Sequence, residues 1–185
     1  MCGRFTQKYT WEELHQLYRL TQPARNLRPR YNICPTDPVD VVIRGDAGRL
    51  VVPMRWQFIP PWWKKPLKEL PATFNARAET VAEKPTFRDA FRRTRCLIPA
   101  SGYYEWEARP DGKQPYYITA VDRPILTIAG LWSEWRDRVN GRIRQRALRS
   151  RHGCASPAVP FDHGHDPGRI APRRMLGNSP GCLLR

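Results

Sequence analysis

The residues with the most distinctive chemistry open the chain, in the run Met1-Cys2-Gly3-Arg4-Phe5. If Met1 is removed, as expected before a small second residue, Cys2 becomes the amino terminus and carries an α-amine and a thiol on adjacent carbons. The amine can condense with an aldehyde to a Schiff base, and the thiol can add to that imine and close a thiazolidine ring. The pKa of an α-amine is about 8 and that of a free thiol about 8.5, so both groups have a reactive fraction at neutral pH. The alternative is that Cys2 is an incidental residue at a frayed terminus.

Two later segments carry polar side chains that could assist such chemistry. Glu105 lies among aromatic residues, where a carboxylate is poorly solvated and suited to deliver or accept a proton. Asn75 could orient a substrate hydroxyl or the terminal amine, and the planar fork of Arg77 can grip a phosphate with two hydrogen bonds. Simpler interpretations stay open, because Glu105 could face solvent, Asn75 could stabilise a turn and Arg77 could be an ordinary surface residue.

A third feature is a proline-bounded loop in which Trp62 and Trp63 are followed by two lysines. The basic residues Arg25, Arg28 and Arg30 come before it. Flat aromatic surface interleaved with cations suits single-stranded nucleic acid, since bases stack on the rings while cations follow the backbone. Most tryptophans are core residues, but two adjacent ones in such a loop do not readily both point inward.

The composition favours a basic, reduced, single-domain protein. A chain of 185 residues can bury one core, and its net charge of +15 favours a polyanionic partner, nucleic acid before an anionic membrane. The five cysteines are widely spread and form no Cys-x-x-Cys pair, which fits reduced thiols in a cytosol. No stretch is apolar enough to span a bilayer, and no secretory leader opens the chain. We therefore expect a cytoplasmic monomer without a membrane partner.

The pattern of apolar residues predicts two short helices and many short strands. Thr10 and Glu13 form a capping box before a helix over residues 11–20, and a second helix is predicted with Thr86 as its cap. Strands are expected over residues 39–43, 50–56, 96–99, 102–106, 116–119 and 124–132. Together they predict an α+β fold, a single domain with a strongly bent, barrel-like, mostly antiparallel sheet flanked by short helices.

The composition changes abruptly at residue 136. From there to the end the chain has eleven arginines, three aspartates, no lysine and no glutamate. We therefore predict a domain over residues 1–135 and a non-native or disordered tail over residues 136–185. The apolar strand before this boundary is then expected to lack a neighbour on one side.

Five segments in order give the chain a family resemblance: Met1-Cys2-Gly3-Arg4-Phe5, Arg30-Tyr31-Asn32, Pro60-Pro61-Trp62-Trp63, Phe74-Asn75-Ala76-Arg77-Ala78-Glu79-Thr80 and Ser101-Gly102-Tyr103-Tyr104-Glu105-Trp106. In them the chain resembles the SRAP family, the SOS-response-associated peptidases that shield abasic sites in DNA. The resemblance runs to about Trp135, and it implies association with the nucleoid when the protein is bound to DNA. It implies a peptidase or hydrolase with lyase-like chemistry, whose terminal cysteine is exposed by loss of the initiator methionine.

The resemblance also implies a site without metal or cofactor. Cys2 would crosslink to the ring-opened abasic deoxyribose in single-stranded DNA as a thiazolidine, Asn75 would orient the amine and the sugar, and Glu105 would be the general acid and base. Arg4 and Arg77 match phosphate-contacting positions. Trp62 and Trp63 match an aromatic wedge beside the bound strand.

The chain departs from the family pattern after Trp135. A segment resembling Ile-His-x-Arg-Met-Pro is expected there, but neither His163 nor His165 has those neighbours, so no residue is assigned as the family's catalytic histidine. Three other hypotheses remain. They are an amidohydrolase with Cys2 as N-terminal nucleophile, a non-catalytic nucleic-acid-binding module, and a zinc site whose ligand spacing matches none of the usual pairings, from His152, Cys154, His163, His165 and Cys182.

Overall fold

The computed structural model describes residues 3–121 and 123–137, together with the backbone of two later strands. The strands, in chain order, are β1 (Arg4–Gln7), β2 (Arg30–Ile33), β3 (Pro38–Gly45), β4 (Gly48–Trp56), β5 (Asn75–Ala76), β6 (Arg95–Ala100), β7 (Gly102–Arg109), β8 (Gly112–Ala120), β9 (Leu126–Arg136), β10 (Ile143–Ser150) and β11 (Ile170–Arg174). The helices are α1 (Trp11–Tyr18), α2 (Arg88–Arg93) and a single 3-10 turn, Leu67–Glu69.

The strands divide between two sheets. The smaller sheet has the order β11-β8-β7-β1-β2, and the larger has the order β4-β3-β6-β9-β10-β5. A further pairing of β4 with β10 joins strands from opposite parts of the larger sheet, so this sheet curls back on itself. Pairing is antiparallel except where β10 meets β4 and β5. The predicted α+β class, with a strongly bent, mostly antiparallel sheet and short helices, is confirmed.

Strand β9 lies inside the larger sheet and has neighbours on both sides. It pairs antiparallel with β6 through Ile98 and with β10 through Ile143 to Arg149. The expectation that this strand lacks a neighbour is therefore wrong. The neighbouring strand β10 was not predicted, because its arginines interrupt the alternation of apolar and polar residues that is typical of a half-buried strand. The division of the chain at residue 135 stays a prediction, since most of the predicted tail lies outside the described residues.

The main core lies where the two sheets face each other. Phe5 of β1 and Ile33 of β2 are buried against residues of the larger sheet, including Trp56, Ile98 and Ile128. Strand alternation accounts for this arrangement, because it sends every second side chain of β1 inward. The start of the chain is thereby held in place by burial of Phe5, which is 1% exposed.

The two helices differ in how they begin. For α1 the predicted capping box is confirmed, since the Thr10 amide donates to Glu13 Oε2 at 2.7 Å and the Glu13 amide donates to Thr10 Oγ1 at 3.2 Å. For α2 the predicted Thr86 cap is wrong. The N-cap is Phe87, which makes no side-chain capping bond. Instead the amides of Phe87 and Arg88 both donate to the Lys84 carbonyl at 2.9 Å, so a backbone turn starts the helix.

The connection between β3 and β4 follows the sequence prediction. Arg44 pairs with Arg49, and Gly45 with Gly48, across a tight turn. Gly48 has a φ of 129°, which side chains rarely adopt, and a Cβ there would lie 2.4 Å from Thr21. The turn therefore needs glycine at this position. No helix in the described part of the chain is long and apolar enough to cross a membrane.

Candidate functional site

Strand β1 carries the start of the chain between two partners. It pairs antiparallel with β2, where Phe5 is opposite Ile33, and with β7, where Arg4 is opposite Tyr104 and Phe5 is opposite Tyr103. Cys2 lies outside the described residues. What the structure fixes is the chain immediately after it, beginning at Gly3.

In the pairing of β7 with β1, Glu105 comes directly after Tyr104, the last paired residue. Because Tyr104 is opposite Arg4, one further step along both strands brings Glu105 beside Gly3. On its other side Glu105 is opposite Tyr116 of β8. Its side chain is half-buried. The predicted carboxylate among aromatic residues is therefore located beside the first residues of β1, where the chain begins.

Asn75 begins the short strand β5, which pairs with β10 through Arg149. Asn75 is half-buried, and the next residue, Ala76, is 2% exposed in a separate core cluster with Phe58 and Phe87. The position of Asn75 is therefore fixed by the buried residue that follows it and by strand pairing.

Trp56 connects the Asn75 segment to the start of the chain. Its indole Nε1 donates to the Phe74 carbonyl at 2.6 Å. Its ring meets Phe5 edge-on at 5.0 Å and Phe74 edge-on at 6.3 Å between centroids. Phe74, which precedes Asn75, and Phe5, near the start of the chain, thus contact the same indole. From the sequence, Trp56 was predicted only as the last residue of a strand. The available signal for its role was that a buried indole N–H needs an acceptor.

The two arginines assigned to phosphates differ in their surroundings. Arg4 is half-buried, and its Nη1 donates to Asn32 Oδ1 at 2.8 Å. This bond fixes the guanidinium beside the start of the chain, and Asn32 is a site neighbour that sequence analysis did not assign. Arg77 is exposed, and its carbonyl accepts from the Thr80 amide at 3.4 Å. It stands two residues after Asn75, at the end of β5.

The two loop tryptophans do not both point inward, in agreement with the expectation from the sequence. The side chain of Trp62 is 54% exposed, while Trp63 is half-buried. Their rings are 6.3 Å apart and tilted by 49°. The loop is anchored from beneath, because Trp135 Nε1 donates to the Trp63 carbonyl at 3.0 Å. Trp62 therefore presents an aromatic surface to solvent from a fixed base.

The basic loop before β2 is tied to the protein's own fold. The Arg25 guanidinium lies over the Trp11 ring at 5.1 Å. Arg30 donates through Nη1 to the Pro38 carbonyl and lies 3.9 Å from Asp37. Arg28 is exposed. Of the three arginines in the predicted basic surface, two therefore have structural contacts.

Among the described residues, no group of three or more histidine, cysteine, aspartate or glutamate side chains could hold a metal ion. The five residues of the zinc hypothesis, from His152 to Cys182, lie outside the described residues. So do His163 and His165, the histidines considered for the family's catalytic position. The described site thus consists of a carboxylate, an amide, two arginines and aromatic rings.

Comparison with known proteins places this arrangement in a family. The abasic site processing protein YoqW of Bacillus subtilis is 35% identical over 138 residues, covering 73% of this chain and 61% of that protein. The abasic site processing protein YedK of Escherichia coli is 31% identical over 140 residues, covering 72% and 60%. The chain thus spans about three fifths of the length of these relatives.

A solved structure supports the same relationship. A protein from Bordetella bronchiseptica superposes with a TM-score of 0.68 at 25% identity, covering 94% of this chain and 82% of that one. The family model described as SOS response associated peptidase (SRAP) matches residues 1–151. This match includes β10 and extends beyond the boundary expected at residue 135. The chain belongs to the SOS response associated peptidase (SRAP) family.

Proposed function

We propose that this protein binds single-stranded DNA at abasic sites and becomes covalently linked to the ring-opened deoxyribose through Cys2. Loss of Met1 exposes the α-amine. The amine adds to the sugar aldehyde and loses one water to give an imine. The thiol sulfur then bonds to the imine carbon, and its proton goes to the nitrogen, which closes the thiazolidine. The lesion is thereby shielded from other reactions.

The observation that carries this proposal is the register between β1 and β7. Arg4 is opposite Tyr104, and extending this register by one residue brings Glu105 beside Gly3, the residue that follows Cys2. Consecutive Cα atoms are about 3.8 Å apart, so the terminal amine and thiol of Cys2 stay close to Glu105. A carboxyl group there can donate its proton to the ring oxygen as the sugar opens, and the resulting carboxylate can take up a proton as the imine forms.

Asn75 supports the proposal because its segment is connected to β1 through Trp56. The Trp56 indole packs against Phe5, and its Nε1–H donates to the carbonyl of Phe74, the residue before Asn75. Side chains that must act together need such fixed supports, since small displacements lower the rate strongly. In this role Asn75 orients the amine and the sugar hydroxyl through its amide.

The surrounding charges and rings suit a single strand of DNA. Arg4 is held by Asn32 next to the terminus, and Arg77 is exposed two residues after Asn75. Both can contact phosphates on either side of the lesion. Trp62 and Trp63 offer surface on which a neighbouring base can stack. The names of the relatives refer to abasic site processing, and this is the basis for choosing the substrate.

A denaturing gel tests the proposal. The protein is incubated with a single-stranded oligonucleotide that contains one abasic site, and with an undamaged oligonucleotide of the same sequence. We expect a denaturant-stable shifted band with the damaged oligonucleotide alone. The band should disappear with Cys2→Ala, and also with protein whose amino terminus is blocked so that Cys2 has no free α-amine. Cys34→Ala is the matched control and should retain the band, since Cys34 is a thiol in a loop after β2.

The same gel separates the alternatives. Binding without a stable band would favour a non-catalytic nucleic-acid-binding module. A band that persists in Cys2→Ala would assign the linkage to another nucleophile and overturn the proposal. Hydrolysis of an amide substrate that depends on Cys2, without any DNA adduct, would favour the N-terminal-nucleophile amidohydrolase.

A further inference from the structure

The outer face of the small sheet carries Arg4 and, beyond it, residues that the proposed function does not use. Strand alternation puts Arg4, Thr6 and Lys8 on the side opposite the buried Phe5. The contacts agree with this. Thr6 Oγ1 and the Tyr117 hydroxyl share a hydrogen bond of 2.6 Å, and Lys8 Nζ lies over the Tyr117 ring at 5.6 Å. A line of side chains therefore leads away from the start of the chain across this face.

Three tyrosines line this path; together with Lys8 they are called the tyrosine face (Lys8, Tyr31, Tyr104 and Tyr117). The rings of Tyr104 and Tyr117 are 5.0 Å apart, and the Tyr104 hydroxyl donates to the Tyr31 carbonyl at 3.4 Å. Lys8 Nζ also lies 5.9 Å from the Tyr31 ring. Tyr31 is 63% exposed, so its ring is accessible. The face combines flat rings with a cation placed between two of them.

Glycine in β7 makes this arrangement possible. A Cβ at Gly102 would lie 2.5 Å from Tyr117 Cζ and 2.6 Å from its hydroxyl oxygen. Such contacts are too short for any side chain, so the Tyr117 ring can lie across β7 because residue 102 has none. The position of Tyr117 is thus built into the sheet.

A cleft of about 370 Å³ opens at the end of the tyrosine face. Its walls include two cations, Lys8 and Arg123, and the polar side chains of Ser101 and Thr119. Glu13 also borders the cleft, but its Oε2 accepts from the Thr10 amide at 2.7 Å as part of the helix cap. The volume is in the range of small-ligand sites, and the cations suit an anionic group.

We infer that the tyrosine face and this cleft bind a nucleotide of the DNA strand that flanks the lesion. The phosphate lies against Lys8 and Arg123, and the base stacks on the exposed Tyr31 ring. Lys8 is four residues after Arg4, about 13 Å along an extended strand at roughly 3.3 Å per residue. Stacked nucleotides are spaced by about 3.4 Å along a strand, so the contact falls about four nucleotides from the phosphate at Arg4. This assignment rests on the proposed function, which places the lesion at Cys2.

Fluorescence anisotropy with two single-stranded oligonucleotides tests the assignment. Both contain a stable abasic analogue without an aldehyde, one with two flanking nucleotides on each side and the other with eight. We expect the parent protein to bind the longer one more tightly. Tyr31→Ala should weaken binding of the longer oligonucleotide about five-fold or more, the loss typical of one stacked base. Lys8→Ala should make the dependence of log Kd on log salt shallower by about 0.7 for that oligonucleotide.

The short oligonucleotide and a matched variant complete the experiment. Both variants should bind the short oligonucleotide as the parent does, and Arg44→Ala, which removes a cation from the distant β3–β4 turn, should leave both affinities unchanged. Equal losses on the two oligonucleotides, or no loss on either, would overturn the assignment. Because the analogue forms no crosslink, a missing Cys2 adduct would refute the proposed function without changing these results. If the Cys2 adduct formed normally but Lys8→Ala and Tyr31→Ala did not weaken binding, the assignment of a nucleotide to the tyrosine face and cleft would be refuted. The proposed function would not be affected.

Discussion

Trp56 Nε1 donates a hydrogen bond of 2.6 Å to the carbonyl of Phe74. Trp56 ends β4, and Phe74 precedes Asn75, so this bond joins two segments that are 18 residues apart. The same indole packs edge-on against Phe5 at 5.0 Å. One buried side chain therefore contacts both the residue before Asn75 and the first strand of the chain.

Trp56→Phe should destabilise the protein and slow the crosslink. The variant keeps an aromatic ring but leaves the Phe74 carbonyl without its donor, which costs about 1–3 kcal/mol for a buried group. Urea unfolding and the rate of adduct formation measure the two effects. Met54→Leu, in the same core cluster, changes packing but removes no hydrogen bond. A rate that falls equally in both variants would mean that Trp56 acts through general stability.

Glu105→Gln should slow adduct formation by about a hundred-fold or more, because it removes a proton carrier and retains the shape of the side chain. Binding to a non-reactive abasic analogue should stay unchanged. Glu107→Gln is the matched control, since Glu107 lies two residues along β7 and bonds to Arg109 and Tyr116. If the Glu105 variant lost DNA binding as well, its role would be structural.

Arg77→Ala should weaken binding to single-stranded DNA and make its salt dependence shallower. One lost phosphate contact reduces the slope of log K against log salt by about 0.7 for a single strand. Binding titrations at several salt concentrations give the slope. Arg44→Ala removes a charge elsewhere and should keep the parent slope. An unchanged slope for the Arg77 variant would remove this residue from the DNA path.

The partly buried Asp40 predicts a pH dependence of stability. Burial raises the pKa of its carboxyl, while Arg25, Arg30 and the hydrogen bond from the Tyr9 hydroxyl oppose the rise. A carboxyl with a higher pKa in the folded state binds its proton more tightly there. Its contribution to stability therefore falls as the pH rises from about 4 through that higher value.

Asp40→Asn should remove this dependence. We expect the variant to be more stable than the parent at pH 7 and to lose that advantage toward pH 4, as measured by urea unfolding at both values. A variant that is less stable than the parent at pH 7 would show that the attraction of Arg25 and Arg30 for the charged carboxylate outweighs its burial.

Local patterns in the sequence predicted the local structure well. The capping box of α1 and the β3–β4 hairpin could be recognised because their signals, Thr10 with Glu13 and the two glycines of the turn, lie within a few residues. The start of α2 was mispredicted because a polar residue in the right place, Thr86, was outweighed by backbone bonds to the Lys84 carbonyl.

Contacts between distant residues could not be predicted in this way. Neither the pairing of β10 with β9 nor the bond from Trp56 to Phe74 has a signal in the intervening sequence. The candidate residues Glu105, Asn75 and Arg4 were identified from their types and from a family resemblance. What positions them, namely Trp56, Asn32 and the β1–β7 register, became visible with the fold.

Peptide mapping of the isolated protein–DNA adduct tests the central claim most directly. After nuclease and trypsin digestion, mass spectrometry should find the sugar remnant on the peptide Cys2-Gly3-Arg4, without Met1, at a mass that reflects the loss of one water. Its thiol should resist alkylation, because the sulfur is bonded to the sugar carbon in a thiazolidine. A remnant on a lysine or on Cys34, or a modified Cys2 whose thiol still alkylates, would contradict the account.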